Sequence, residues 1–344
     1  MKLTGLGWRG SRTSVTTIPR LTRVADIGVA ARDHDLHAVA APVLTGMTDQ
    51  RNISRTVRHD HALASRCIRR DHIKPDAEKG NRHMMTGANT PLPVDLTGYK
   101  VAISAGANGI GKVIADSFAY CGATIFVSDV DTAALDRCGH PGMIADAGDP
   151  AQCEAFVDAA IGHLGGLDVL VNNAGIAGPT ALTEHVTPEE LDATLRIDLA
   201  SMFHMARRAI PALRANGGGA IVNLSSAAGR FGFALRAPYA AAKWGVIGFT
   251  KSLSIELGPD GIRVNAILPG PVDGPRIRAV IAAKAQAAAI SVNEMTERTV
   301  ATTSLKCFVT QQDIANMALY LASPFGGTIS GQAIGVDADM QSTM

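Results

Sequence analysis

The sequence predicts an α/β protein: a three-layer, doubly wound parallel sheet with helices on both faces. Three observations lead there. Short runs rich in Val, Ile and Leu alternate with longer stretches of helical period from Lys100 to Val336. A glycine turn, Ala105-Gly106-Ala107-Asn108-Gly109-Ile110-Gly111, joins the first run to the first helical stretch. Polar residues suited to a site fall where the runs end, and such sheets bind ligands at the carboxyl ends of their strands.

In chain order, Lys100 to Ser104 is the first β-rich run, followed by the glycine turn and a helix from Lys112 to Tyr120. Strand, tight turn and helix in that order let the backbone approach a pyrophosphate, whose charge meets the free amides of the helix start. The next strand, Thr124 to Ser128, ends at Asp129. A carboxylate there accepts hydrogen bonds from ribose hydroxyls and repels a 2′-phosphate, so NAD is expected over NADP. Met143-Ile144-Ala145 leads to Asp146 and a helix near Gln152 to His163, and Leu167 to Val171 runs into Asn172-Asn173-Ala174-Gly175. A long helix is expected from Pro188 to Asn216, with Leu191, Leu195, Leu199, Met202, Phe203, Ala206 and Ile210 at helical spacing. Then come the strand Ala220 to Leu224 ending at Ser225-Ser226, a helix through Tyr239 to about Leu257, and the strand Arg263 to Leu268. After Pro269-Gly270 the alternation breaks until about Lys306, and a last helix and the strand Gln332 to Val336 follow. An insertion over the open edge of the site, at about 270–310, is expected to act as a lid.

Residues 1–93 are different material. They show no sustained period and are expected to form a disordered N-terminal extension to an oxidoreductase domain spanning 94–344. Residues 1 to 90 carry fifteen Lys and Arg against eight Asp and Glu, which leaves 17 against 23 for the remainder. Translation from Met84 or Met85 would leave only a few residues before the first strand. The clusters His59-Asp60-His61 and Arg66 to His72 have neither zinc spacing nor aromatic interleaving, so neither a metal nor nucleic acid is expected. With 47% hydrophobic residues the chain has ample material for a core, yet no apolar run approaches the ~18 residues of a membrane span. With no secretory h-region at the start, a cytoplasmic location is the default expectation. Five scattered cysteines without C-x-x-C read as reduced thiols.

The chemistry centres on Ser226, Tyr239 and Lys243. Tyr239 and Lys243 are four apart, hence on one helix face. A phenol is a poor acid at neutral pH, and an ammonium within about 4 to 6 Å favours its ionised form. Ser226, at the end of a strand, could hold the oxygen of a carbonyl or alcohol beside that phenol. Taken alone, Y-x-x-x-K is more often a solvated Tyr and Lys on a helix surface; the surrounding chain reverses that and favours the chemical reading.

Across residues 95 to 337 the chain resembles the short-chain dehydrogenase/reductase family, whose fold is of the Rossmann type. Ser104 to Gly111 resembles the T-G-x-x-x-G-x-G cofactor loop, Asn172 to Gly175 is N-N-A-G, and Pro269-Gly270 matches the P-G after the sixth strand. The resemblance implies that Tyr239 is the acid/base, that Ser226 positions the substrate oxygen, and that Lys243 lowers the phenol pKa and binds the nicotinamide ribose. It also implies cofactor contacts from Ser104, Gly106, Asn108, Gly109, Ile110, Gly111, Asp129, Asp146, Ala147, Asn173, Ala174, Gly175, Tyr239, Lys243, Pro269, Gly270 and Val272, with no metal. Self-association as a homotetramer or homodimer is expected, from the family and from helices that are apolar on more than one face.

Three departures stand out. Ala105 replaces the first loop glycine with Ser104 for Thr, Gly274 stands where a Thr is usual, and Asp198 replaces the Asn of the family's proton relay. The expected function is NAD-dependent hydride transfer between nicotinamide and a secondary alcohol or ketone. The alternatives are a 3-oxoacyl thioester reductase and a catalytically silent nucleotide-binding regulator, the latter drawing on Asp198. Phe231, Phe233, Leu235, Ile277 and Val280 suggest an apolar, cyclic substrate as one option, although packing explains them equally well.

Overall fold

The computed structural model describes residues 91–342. The extension expected over 1–93 therefore lies outside the described residues, apart from its last three. Leu92 already belongs to the domain: its amide donates to Asn316 Oδ1 at 2.8 Å, and its carbonyl accepts from the Cys121 thiol.

The elements, in order, are β1 (Lys100–Ile103), α1 (Gly109–Tyr120), β2 (Thr124–Asp129), α2 (Thr132–Cys138), β3 (Gly142–Ile144), α3 (Pro150–Leu164) and β4 (Val169–Asn172). They continue with α4 (Pro188–Leu195), a π-helical turn (Arg196–Ala200), α5 (Ser201–Ala215), β5 (Gly219–Leu224), α6 (Ala237–Leu257) and β6 (Ile262–Pro269). The last are α7 (Pro275–Ala287), α8 (Val292–Ala301), α9 (Gln311–Ala322) and β7 (Ala333–Val336). Among the described residues the strands form one parallel sheet in the order β3-β2-β1-β4-β5-β6-β7.

Strand side chains alternate between faces, and two cores follow from that. Val101, Ile103, Ile125, Val127, Val169 and Val171 pack on one face with α1 and α9. Ala102, Phe126, Leu170, Ile221 and Val264 pack on the other with α3, α5 and α6. Burial on both faces explains why these strands read as continuous apolar runs in the sequence. The strand order reverses direction between β1 and β4, the switch point at which such sheets open a crevice.

Three features differ from the sequence expectation. The single helix expected over Pro188 to Asn216 is interrupted by the π-helical turn that carries Asp198. The stretch after Gly270 contains two helices, α7 and α8, packed through Ile281, Ala285 and Met295. The short α2 had no sequence counterpart; Asp131 caps it by accepting from the Ala134 amide.

Candidate active site

The carboxyl ends of the strands and the helix pair α7–α8 surround a cavity of about 680 Å³. Asn108, Gly109, Ile110, Asp129, Asp146, Ala147, Asn173, Ala174, Gly175, Ser226, Tyr239, Lys243, Pro269, Gly270 and Val272 all line it. Ser104, Gly106, Gly111 and Asp198 are absent from its lining and act from behind the wall.

Their roles there are legible. The Ser104 hydroxyl is buried and accepts from the amides of Asn173 and Ala174, both at 3.0 Å, which ties the end of β1 to the end of β4. Asn173 Nδ2 donates to the carbonyls of Ser104 and Ala105, clamping the turn. A Cβ on Gly111 would stand 2.1 Å from the Ala105 carbonyl oxygen, so glycine is demanded by packing. Ala105 adopts φ +49°, a left-handed conformation that costs a residue with Cβ about 1–2 kcal/mol. Ala105→Gly is therefore expected to stabilise the domain by about 1 kcal/mol, or 2–4 °C in Tm. Thermal unfolding checks this, and an unchanged or lower Tm would count against strain at that turn.

At one end of the cavity, the start of α1 presents its amides with no acidic side chain in the first turn. Gly109 has φ +53°, and a Cβ there would meet nothing within 4 Å, so the cradle is open. The helix macrodipole adds positive potential, and the arrangement fits an extended anion such as a pyrophosphate. Asp129, nearly buried, accepts from the Ala107 amide through Oδ2 and from the Asp131 amide through Oδ1, each at 3.2 Å. Those bonds leave lone pairs on both oxygens for a diol. Asp146 Oδ1 accepts from the Gly148 amide, and its own amide donates to Gln152. The cavity residues therefore fit a dinucleotide.

At the other end stand Ser226, Tyr239 and Lys243. Ser226 Oγ accepts from the Ala228 amide at 3.1 Å, which leaves its proton free to point elsewhere. Helix α6 is fixed from beneath: Ser225 Oγ donates to the Lys243 carbonyl at 2.8 Å, and buried amides link Asn172 to Asn223 and Asn223 to Thr250. Lys243 is 4% exposed; its Nζ donates to the Leu224 carbonyl at 3.1 Å and lies 5.6 Å from the centre of the Tyr239 ring. Asp198 is fully buried at the π-turn. Its Oδ1 accepts from the Ile176 amide at 2.9 Å and stands 3.6 Å from Lys243 Nζ. Oδ2 is buried without a partner. Burial pushes the Asp198 carboxyl above the usual carboxylate range, outweighing Lys243, the Ile176 amide and Arg276. Gly175 packs over this pair, where a Cβ would meet Asp198 Oδ1 at 2.5 Å.

Sequence reasoning missed three cations of this cavity: Arg236, Arg276 and Lys284. Arg276 Nη2 reaches across to the Gly175 carbonyl at 2.7 Å. The expected apolar walls are present in part, since Phe233, Ile277 and Val280 line the cavity while Phe231 and Leu235 do not. Among the described residues, no group of three or more His, Cys, Asp or Glu is placed to hold a metal ion, and no helix is long and apolar enough to cross a membrane. Cys121, Cys138, Cys153 and Cys307 are free thiols; burial pushes that of Cys153 up to about 11, out of the reactive range, while Cys67 lies outside the described residues.

A parallel sheet of this order, with a glycine turn at its switch point, Ser226 past the end of β5 and Tyr239 and Lys243 on α6, defines a short-chain oxidoreductase, and the comparisons agree. A family model described as enoyl-(acyl carrier protein) reductase matches residues 104–340. The chain belongs to the short-chain dehydrogenase/reductase family. It is 34% identical over 254 residues to D-beta-hydroxybutyrate dehydrogenase of Cupriavidus necator, covering 70% of this chain and 97% of that enzyme. It is 33% identical to the 3-oxoacyl-(acyl-carrier-protein) reductase FabG of Thermotoga maritima, covering 71% and 98%. Among solved structures, an actinorhodin polyketide ketoreductase variant with NADPH superposes with a TM-score of 0.67 at 30% identity, covering 71% of this chain and 97% of that one.

Proposed function

We propose that this oxidoreductase interconverts a secondary alcohol and its ketone, with Ser226, Tyr239 and Lys243 managing the substrate oxygen and its proton. One observation carries the reading: these three side chains stand at one end of a cavity whose other end offers an anion cradle and Asp129. A nicotinamide dinucleotide bound along that cavity would supply or accept the hydride. Tyr239 gives its proton to the forming alkoxide, or takes one from the alcohol. Ser226 has a free O–H to hold the same oxygen. Lys243, held by the Leu224 carbonyl and facing Asp198, would present its ammonium to the phenolate left after transfer. Helices α7 and α8 would exclude water as a lid over the substrate end.

The similarity to FabG supports a second reading, reduction of a 3-oxoacyl thioester. Turnover with NAD and NADP against secondary alcohols, ketones and acyl thioesters, followed by nicotinamide absorbance, tests both. Binding of either nucleotide with no turnover of any substrate would instead favour a silent nucleotide-binding protein.

Asp129 supports NAD as the preferred cofactor, since the residues after it, Val130 and Asp131, offer no cation for a 2′-phosphate. Asp129→Ala is expected to lower kcat/KM for NAD relative to NADP by roughly 10-fold or more, the worth of a hydrogen bond to a charged group. A wild-type enzyme that already prefers NADP would overturn this assignment.

A further inference from the structure

Arg236 is a cavity side chain that the proton chemistry leaves without a task. It precedes Tyr239 by nearly one turn and is only 3% exposed. Its guanidinium carbon lies 4.6 Å from the centre of the Tyr239 ring and 5.3 Å from that of Phe233. One terminal nitrogen donates to the Ala177 carbonyl, while Nε is buried with no partner. Burial lowers its pKa against the pull of Tyr239 and then of Asp198, and the one carboxylate of these, Asp198, is already paired with Lys243.

A second cation faces it. Lys284, on α7 and 9% exposed, places Nζ 4.3 Å from the centre of the same Phe233 ring. Burial, with Arg236 as a second cause, pushes its ammonium down to about 8. Lys284 thus adds positive potential beside the same aromatic ring, and Arg236, whose Nε has no partner, is the group there that an anion would relieve. That anion does not belong to the dinucleotide, whose charged pyrophosphate fits the start of α1 at the other end of the cavity.

We propose that the substrate carries a carboxylate close to its reacting carbon, held by Arg236 with Lys284 adding positive potential nearby, so that the enzyme acts on short hydroxy acids and the matching oxo acids. The inference rests on the reading of Tyr239 as the acid/base. In oxidation, the carbinol C–H bond breaks with its electron pair passing as hydride to the oxidised nicotinamide. The hydroxyl proton passes to Tyr239 and a C=O bond forms; reduction returns both. Because the guanidinium stacks on the ring whose hydroxyl meets the reacting oxygen, carboxylate and carbinol are only a few bonds apart. An acyl group on a carrier has no charge at that place, since the phosphate of its arm lies far from the carbonyl.

The test compares short α-, β- and γ-hydroxy acids, each beside its methyl ester and its N-acetylcysteamine thioester, on the full chain with NAD and NADP. The best acid is expected to exceed its ester in kcat/KM by about 100-fold, the scale on which losing one partner of a buried charge pair is felt. In Arg236→Met that ratio is expected to fall about 100-fold, and Arg236→Lys to restore part of it. Lys284→Met is expected to lower it more modestly. Thermal unfolding of each variant separates loss of the fold from loss of the charge. Calorimetry of the acids and esters with wild-type protein supplies a readout independent of turnover. An acid-to-ester ratio near one, a preferred thioester, or no carboxylate binding by calorimetry would overturn the proposal. Tyr239→Phe is run alongside: if it kept its turnover, the reading of the site would fall, whereas loss of turnover with acid and ester equal would remove only the carboxylate.

Discussion

Tyr239→Phe is expected to lower turnover by roughly 10²- to 10⁴-fold, the contribution of a positioned acid/base group. The change removes one oxygen and leaves the ring, which Arg236 covers and which α6 holds over Lys243. Folding and nucleotide affinity are therefore expected to stay close to wild type, because the anion cradle and Asp129 sit at the other end of the cavity. Stopped-flow or steady-state turnover gives the rate, and fluorescence titration of the reduced nicotinamide gives the affinity. A loss of only a few-fold would take the proton from Tyr239 and leave Ser226 and Lys243 without a partner to serve. Loss of affinity in step with rate would mean that the phenol shapes the nucleotide site.

The fold was legible because local signals agree with it. Strands buried on both faces read as apolar runs, and the packing that makes Gly111 obligatory is served by a glycine in the sequence itself. What escaped depends on contacts distant in sequence. A π-turn at Arg196–Ala200 has no residue signature, since the same side chains continue a helix without strain, although such turns cluster at functional sites. Nothing local in the sequence singles out Arg236 or Lys284. Only the approach of α7 to the start of α6 around Phe233 buries both and turns an expected apolar pocket into a cationic one. Ser225 was passed over for its neighbour because two adjacent serines at a strand end are indistinguishable until α6 is in place. One then aims at the Lys243 carbonyl, and the other lines the cavity.

Asp198→Asn is expected to stabilise the domain at neutral pH by about 1–3 kcal/mol, the desolvation cost of a buried group that its partners do not repay, because the amide removes the charge and keeps an acceptor for the Ile176 amide. Two effects compete at this position. Asp198 Oδ1 attracts Lys243 from 3.6 Å, which favours the carboxylate; full burial and the unpartnered Oδ2 disfavour it. Burial is the larger, because the carboxyl ends above its ordinary range. The sign follows from linkage. A group whose pKa is raised by folding contributes stability while it is protonated, and that contribution is lost as pH rises through the folded value. The acid thus weakens the fold at pH 7 relative to a neutral amide, and the advantage of Asn should shrink as pH falls toward the unfolded carboxyl range near ~3.9. Urea unfolding of both proteins across that pH window measures it. A variant less stable at pH 7 would show that the pair with Lys243 outweighs the desolvation of Asp198. Turnover should rise modestly with an altered pH profile, since the charge facing Lys243 disappears. A collapse in rate with the fold intact would assign the acid a share of the proton path that the amide cannot take over.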